Sequence, residues 1–275
     1  MPDLLVVGDS LAFHGPERPC PADEPRLWPN VAAARLGGRA EIVARAGWTA
    51  RHAWSAISGD PRVWAALPRV GAVVLGVSGM DSLPSPLPTA LRELIPVLRP
   101  APLRHTVRTA YRRAQPRIAP VLARLPGGGP ATLPPRLTAA YLERCRAGVH
   151  ALRPGLPVVA LAPSVHRAAD YGLAHPHRAA TDAAVRRWAA GAPAVTVLDV
   201  PALVGEHVLG GHGNPDGLHW GWAGHSAVGE ALAGLLEATV ARPCPCSAST
   251  SAPPRSRRRS STTTASASPR PAPRT

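Results

Sequence analysis

The sequence predicts a three-layer α/β/α fold of flavodoxin-like type, with a mostly parallel sheet and a disordered C-terminal tail. Three observations carry this. Short apolar runs alternate with helix-length stretches from residue 3 to residue 240, which is the pattern of parallel strands joined by crossover helices. The strongest runs are apolar throughout, as strands covered on both faces must be. From Arg242 onward the composition turns to Ser, Thr, Pro, Ala and Arg, which cannot bury a core.

Residues 3–7 are the first strand, and they end in Gly8-Asp9-Ser10-Leu11. Trp28 to Leu36 reads as a helix stopped by Gly37-Gly38, since glycine readily takes the backbone that ends a helix. Residues 40–43 are a short second strand leading to Gly47. A helix over 50–57 is closed by Gly59-Asp60-Pro61. Strands follow at 72–77, 157–161 and 195–198, and helices at 86–98, 135–152, 178–190 and 222–240.

Residues 99–134 break the rhythm and read as a basic cap insertion within a catalytic domain spanning 1–241. No acidic residue occurs from Leu94 to Leu142, and Arg104, Arg108 and Arg112 are spaced four apart, on one helix face. Such a face is either a solvated surface or a receptor for an anionic ligand, because guanidinium matches carboxylate and phosphate. In the second reading Arg108 and Arg112 are substrate contacts. Residues 242–275 are the tail.

The 275 residues carry a formal charge of +14, and all 31 basic residues are Arg. The absence of lysine and the 34 prolines point to a GC-rich coding bias as one source of the charge. Seven of the arginines lie after residue 241 without a compensating acid. A basic balance suits phosphate- or carboxylate-bearing ligands, and equally nonspecific polyanion binding. A phosphate-binding P-loop needs a lysine and is excluded. Four cysteines without motif spacing argue for a reduced compartment rather than a disulfide framework. No apolar run reaches membrane-spanning length, so a cytoplasmic location follows by default.

Two stretches carry chemistry. Ser10 follows the first strand, and ligands of open α/β sheets sit at the carboxyl ends of strands. By itself Asp9-Ser10 is also an ordinary helix cap. The second stretch is Gly213-Asn214-Pro215-Asp216-Gly217-Leu218-His219-Trp220. An Asp three residues before a His in a Gly-rich loop can fold its carboxylate onto the δ nitrogen, leaving the ε nitrogen as base. A Ser–His–Asp set is then available from opposite ends of the chain. His212, His219 and His225 near Asp216 also suggest a metal, but their spacing matches no compact ligand motif, and no metal or other cofactor is expected. Ser164, His166 and Arg167 follow the fourth strand as candidate substrate contacts or as a satisfied loop. Trp220 and Trp222 are pocket or core. Ser78 fails the Gly-x-Ser-x-Gly elbow because Met80 holds its last position.

The chain resembles the SGNH, or GDSL, hydrolase superfamily in Gly8-Asp9-Ser10-Leu11 and Asp216-x-x-His219. The glycine of the superfamily's second block is matched by Gly47. Its third block, Gly-x-Asn-Asp, is met by Ser78-Gly79-Met80-Asp81, with Met80 in place of the asparagine that completes the oxyanion hole. The runs Leu11 to Arg18, Trp28-Pro29-Asn30-Val31, Ala46 to Arg51, Pro163 to Arg167 and Pro215 to Trp222 resemble one actinobacterial branch, the diglucosylglycerate octanoyltransferases. This resemblance implies Ser10 as nucleophile, His219 as general base then acid, Asp216 as its orienting carboxylate, and Ser10 and Gly47 as oxyanion donors. It implies transfer of an octanoyl group, from CoA, to a sugar hydroxyl of diglucosylglycerate in methylglucose lipopolysaccharide synthesis. The substrate contacts it leaves open are Ser164, His166, Arg108, Arg112 and Trp220. The rivals are an esterase or lipase of the same fold and a noncatalytic polyanion-binding protein. No specific nucleic acid and no membrane span are expected. The oligomeric state stays open.

Overall fold

The sheet is built from β1 (Asp3–Gly8), β2 (Ala40–Ala44), β3 (Val70–Gly76), β4 (Val158–Leu161) and β5 (Val195–Leu198). All neighbouring pairs are parallel, in the order β2–β1–β3–β4–β5, the flavodoxin-like arrangement. These coordinates are a computed structural model; it describes residues 3–241 apart from 86, 88–90 and 92–93, and they form one compact unit. The expected tail at 242–275 lies outside the described residues, as do positions 86, 88–90 and 92–93 of the helix expected at 86–98. The described end of that stretch is a single 3-10 turn, Ile95–Val97.

Strand alternation sorts the core into two layers. Leu5, Val7, Val73, Leu75, Val158 and Ala160 face one side. There they meet α2 (Ala50–Gly59), α3 (Pro61–Ala66), α5 (Pro135–Leu152) and α6 (Arg178–Gly191). Leu4, Val6, Ala72, Val74, Val159 and Leu161 face the other side. Their partners are α1 (Trp28–Arg35), α7 (Val200–Leu209) and α8 (Trp222–Ala241). β1, β3 and β4 therefore have two buried faces, which is why their sequences read as continuous apolar runs.

α3 and α7 were not expected from the sequence. Both begin at an Asp followed within two residues by a proline. Asp60 accepts from the Arg62 N–H at 2.9 Å, and Asp199 from the Ala202 N–H at 3.3 Å. The prolines, read as breakers, occupy the first helical turn, where a missing N–H costs nothing. Similarly, residues 99–134 contain a long helix, α4 (Ala101–Ala123), that runs through Pro116 and Pro120. α4 packs on the turn Ala169–Tyr171, and a Cβ on Gly172 would lie 2.7 Å from Pro120 Cα. Among the described helices none is long and apolar enough to cross a membrane. Cys20 and Cys145 are free thiols.

Trp28 links the fold to the loop after β1. It is fully buried, and its indole N–H donates to the Leu11 carbonyl at 2.9 Å. Trp28→Phe keeps most of the apolar volume but orphans that carbonyl. The expected result is a loss of about 1–3 kcal/mol of unfolding free energy, measured by urea titration, together with reduced labelling of Ser10 by a fluorophosphonate. Unchanged stability would show that this bond does not hold the loop.

Candidate active site

Order β2–β1–β3 places a topological switch point between β1 and β3, where the following loops diverge and leave a crevice. The β1 loop supplies Ser10 and the β3 loop supplies Gly79 and Met80, and all three border one small cavity. Asp9 shapes the first loop. Its N–H donates to the Gly76 carbonyl at 3.1 Å, and its Oδ1 accepts from the Leu11 N–H at 2.9 Å. Ser10 then opens a single 3-10 turn, Ser10–Ala12, and not an α-helix. The capping reading thus falls on Asp9, and Ser10 is the first residue of the turn it caps. The N–H groups of Asp9, Leu11 and Ala12 are engaged in this turn.

The second loop brings in His219. Its Nε2 lies 2.8 Å from Ser10 Oγ, and its Nδ1 lies 2.6 Å from Asp216 Oδ2. Asp216 Oδ1 also accepts from the N–H groups of Leu218 and His219, at 2.8 and 3.0 Å. Burial opposes the charge on Asp216, but the His219 ring and these two N–H groups outweigh it. They hold the carboxyl well below its ordinary range. An ionised Asp216 fixes the proton on His219 Nδ1, which leaves Nε2 to accept from Ser10. Gly217 makes the loop possible. It has φ +71, and a Cβ there would lie 2.7 Å from the Arg167 carbonyl.

Histidines outside the triad brace it. The His14 ring stacks on His219 with centroids 3.8 Å apart and planes 16° apart. His14 Nδ1–H donates to the Gly15 carbonyl, 2.7 Å away. His225, fully buried at the start of α8, accepts from the Trp28 N–H at 3.2 Å on Nδ1 and donates from Nε2 to the His14 carbonyl at 3.1 Å. His166 and His175 border the cavity with Ser10, their ring centroids 4.5 Å apart. Of these, the sequence singled out His166 as a contact and His225 only as a metal candidate. His14 and His175 carried no motif, because what marks them is burial.

The other candidates divide. Ser164 borders the same cavity and its hydroxyl accepts from the Trp220 indole N–H at 3.3 Å. Trp220 is fully buried in the α1/α7/α8 core layer and reaches only a second small cavity behind Asp9. Met80 lines the Ser10 cavity where the superfamily places asparagine. Asp81, next to it, is fully buried and accepts from the Ala50 N–H, tying the β3 loop to α2. Gly47 has φ +74, so a glycine is needed there, two residues before the α2 cap. Arg108 is exposed on α4 and does not line the Ser10 cavity; the side chain of Arg112 is outside the description. The cavity is about 20 Å³, room for one hydroxyl or water. A roomier concavity of about 600 Å³ lies between α2, α3 and α5 and shares no residue with the triad. Among the described residues no group of three or more His, Cys, Asp or Glu is placed to hold a metal ion.

Burial keeps several of these rings neutral. It pushes His166 and His225 down to about 4 and His175 to about 3. Each remains neutral in the folded state at pH values where it would be protonated in the unfolded chain. Folding stability is then complete above about 6.5 and falls as pH drops toward 4. Asp9 works in the opposite direction: burial raises its carboxyl to about 6, which lowers stability as pH rises from about 4 to 6. Three histidines outweigh one carboxyl, so the melting temperature is expected to fall between pH 7 and pH 5. A melting temperature that is flat or higher at pH 5 would show that these rings are not buried neutral.

Comparison with known proteins follows this geometry. No family model matches the chain. It is 51% identical over 244 residues to the diglucosylglycerate octanoyltransferase of Mycolicibacterium hassiacum, covering 88% of this chain and 98% of that protein. It is 51% identical over 240 residues to the protein of the same name from Mycobacterium tuberculosis, covering 87% and 94%. Among solved structures, a lipase/acylhydrolase from Enterococcus faecalis matches with a TM-score of 0.53 at 11% identity, over 87% of this chain and 97% of that one. A protein from Parabacteroides merdae described as a GDSL-like lipase matches with a TM-score of 0.54 at 12% identity, over 85% and 95%. These structural likenesses show the SGNH/GDSL fold, and the sequence identity over nearly the whole chain places this protein in the diglucosylglycerate octanoyltransferase family.

Proposed function

We propose that this protein transfers an octanoyl group to a sugar hydroxyl of diglucosylglycerate through an acyl-Ser10 intermediate. The observation that carries the proposal is the continuous relay Asp216–His219–Ser10, with both hydrogen bonds at 2.8 Å or less, in a chain 51% identical to relatives of that name. In the first half-reaction Ser10 Oγ attacks the thioester carbonyl of an acyl donor while His219 Nε2 takes its proton. The N–H groups of Ser10 and Gly47 receive the developing oxyanion, each such donor being worth roughly 3 kcal/mol of barrier. The thiolate leaves and takes the proton from His219. In the second half-reaction the acceptor hydroxyl gives its proton to His219 and attacks the acyl-enzyme, which releases the ester and restores Ser10.

CoA is the donor we favour, since the Arg-bearing face of α4 offers cationic contacts for its phosphates. Arg108 stands on that face as a donor contact rather than a wall of the Ser10 cavity. Met80 beside the nucleophile makes the surroundings of the acyl-enzyme drier than asparagine would. A drier acyl-enzyme meets fewer water molecules and leaves a bound hydroxyl to compete.

Ser10→Ala and His219→Ala are expected to abolish turnover. Asp216→Asn is expected to lower kcat by about 10⁴, because it disturbs the tautomer while leaving the nucleophile in place. All three are read as thiol release under saturating donor, with circular dichroism as the check on folding. Retained turnover in Ser10→Ala would overturn the acyl-serine mechanism.

The substrate assignment is tested by product analysis. With octanoyl-CoA alone, slow release of CoA is expected; adding diglucosylglycerate is expected to accelerate it and yield the octanoylated sugar. If the sugar leaves the rate unchanged and octanoate is the sole acyl product, the protein is an esterase.

A further inference from the structure

His166 and His175 border the Ser10 cavity, and His166 Nε2 and His175 Nδ1 are buried without a partner in hydrogen-bonding geometry, although the Ala174 carbonyl lies near enough to the His166 ring to favour its protonated form against burial. Orphaned buried polar atoms are costly, so a pair of them beside a nucleophile calls for a physical reason. Their surroundings fix what each atom can do. His166 Nδ1 accepts from the Ala168 N–H at 3.2 Å. A neutral His166 therefore carries its proton on Nε2, and that atom is a donor. Ser82 Oγ donates to the Gly79 carbonyl at 2.8 Å and lies 2.6 Å from His175 Nε2. With the Ser82 hydroxyl proton placed on the Gly79 carbonyl, which also accepts from the Ser82 N–H at 3.2 Å, the proton in the second bond belongs to His175 Nε2. His175 Nδ1 is then an unprotonated acceptor.

One donor and one acceptor, on rings whose centroids are 4.5 Å apart, match the two functions of a single hydroxyl group. We infer that His166 and His175 form a hydroxyl-binding subsite for the acceptor, in which an acceptor hydroxyl donates to His175 Nδ1 and accepts from His166 Nε2–H. The inference rests on the acyl-transfer reading above and names the groups that hold the acceptor. The cavity of about 20 Å³ has the size of one such group. Its chemistry suits a sugar hydroxyl of the acceptor rather than its carboxylate: burial keeps both rings uncharged at neutral pH, so the carboxylate finds no cation in this pair. For the same reason neither ring competes with His219 as the base. The rings are held in place. Tyr171 meets His166 edge-on at 5.7 Å, and Ser82 anchors His175 to the β3 loop.

Both atoms would act only in the second half-reaction, by positioning a hydroxyl against the acyl-enzyme. The readout is therefore the partition of acyl-Ser10 between transfer and hydrolysis. Octanoyl-CoA is supplied with diglucosylglycerate, and the ratio of octanoylated sugar to free octanoate is measured within each variant, so that changes in acyl-enzyme formation cancel. His166→Phe and His175→Phe keep a ring and remove the polar atom. Each is expected to lower the ratio about tenfold or more, the usual effect of leaving a substrate hydroxyl unmatched. His166→Gln, which retains an N–H donor, is expected to recover part of the loss. Ser82→Ala removes only the group that sets the His175 tautomer. It is expected to lower the ratio as well, and it serves where a phenylalanine variant fails to fold.

A ratio unchanged or raised in the folded variants would overturn the inference, since the pair would then be structural or would hold the hydrolytic water. Glycerol as a second acceptor separates this from failure of the substrate assignment. If the wild type acylates glycerol but not diglucosylglycerate, the proposed acceptor is wrong, and the variants' glycerol-to-octanoate ratio still decides whether the pair binds hydroxyls. If the wild type yields octanoate alone with both acceptors, acyl transfer and the subsite fall together.

Discussion

The site depends on one buried side chain that joins its two halves. His225 sits in the first turn of α8, six residues after His219, and accepts from the Trp28 N–H while donating to the His14 carbonyl. Trp28 in turn donates its indole N–H to the Leu11 carbonyl. The turn carrying Ser10 is thus held by the segment that follows the catalytic base. The Ser10–His219 bond spans 209 positions of sequence, and it cannot survive independent movement of its two loops. Catalytic groups must be kept within a fraction of an ångström of their working geometry. Here a neutral imidazole with both nitrogens satisfied is the brace. Its neutrality is essential, because a protonated His225 could not accept from Trp28.

The same principle explains why so many histidines crowd a site that uses one as base. His14 presents a ring face to His219, and its proton affinity is lowered, first by burial, so that a positive charge on His14 beside His219 is disfavoured. His166 and His175 are held neutral in the same way. The one firmly charged partner of His219 is Asp216, whose carboxylate is stabilised by three N–H donors. The arrangement therefore sets one ionised carboxylate against His219 and keeps the neighbouring rings neutral.

Much of this was legible in the sequence, for local reasons. The strands are visible because a doubly covered sheet demands uninterrupted apolar runs. The triad is visible because Asp216 and His219 are three residues apart and need no long-range information to meet, while Ser10 sits at the end of the clearest strand. What escaped depends on context that a local pattern does not carry. The prolines of α3 and α7 look like breakers until the preceding Asp60 and Asp199 are seen to cap a first turn. Pro116 and Pro120 look incompatible with helix, yet α4 continues through them where it packs on Gly172. His14, His175 and the bracing role of His225 rest on burial and on partners far away in sequence. Arg108 was conspicuous by its spacing yet does not line the Ser10 cavity, since regular spacing defines a helix face but not what that face covers.

The relay cannot by itself set the balance between transfer and hydrolysis, because an acyl-serine accepts any hydroxyl that His219 can deprotonate, water included. The fold is shared with lipases at 11–12% identity, so the difference must lie in the groups around the relay rather than in it. Two features set those surroundings apart from an ordinary esterase pocket. Met80 stands where the superfamily has an asparagine, and the same cavity is lined by His166 and His175, which on the inference above supply a donor and an acceptor. Water can satisfy that pair, but it gains nothing beyond those two bonds. A sugar hydroxyl makes the same two bonds and arrives with the rest of its ring already ordered against the protein, so its entropy of positioning is met by contacts remote from the reacting atom. A poorer oxyanion hole slows both reactions alike, whereas a positioned hydroxyl accelerates only one. On the proposed function, selectivity for transfer would follow from weakening the common step and concentrating binding on the acceptor.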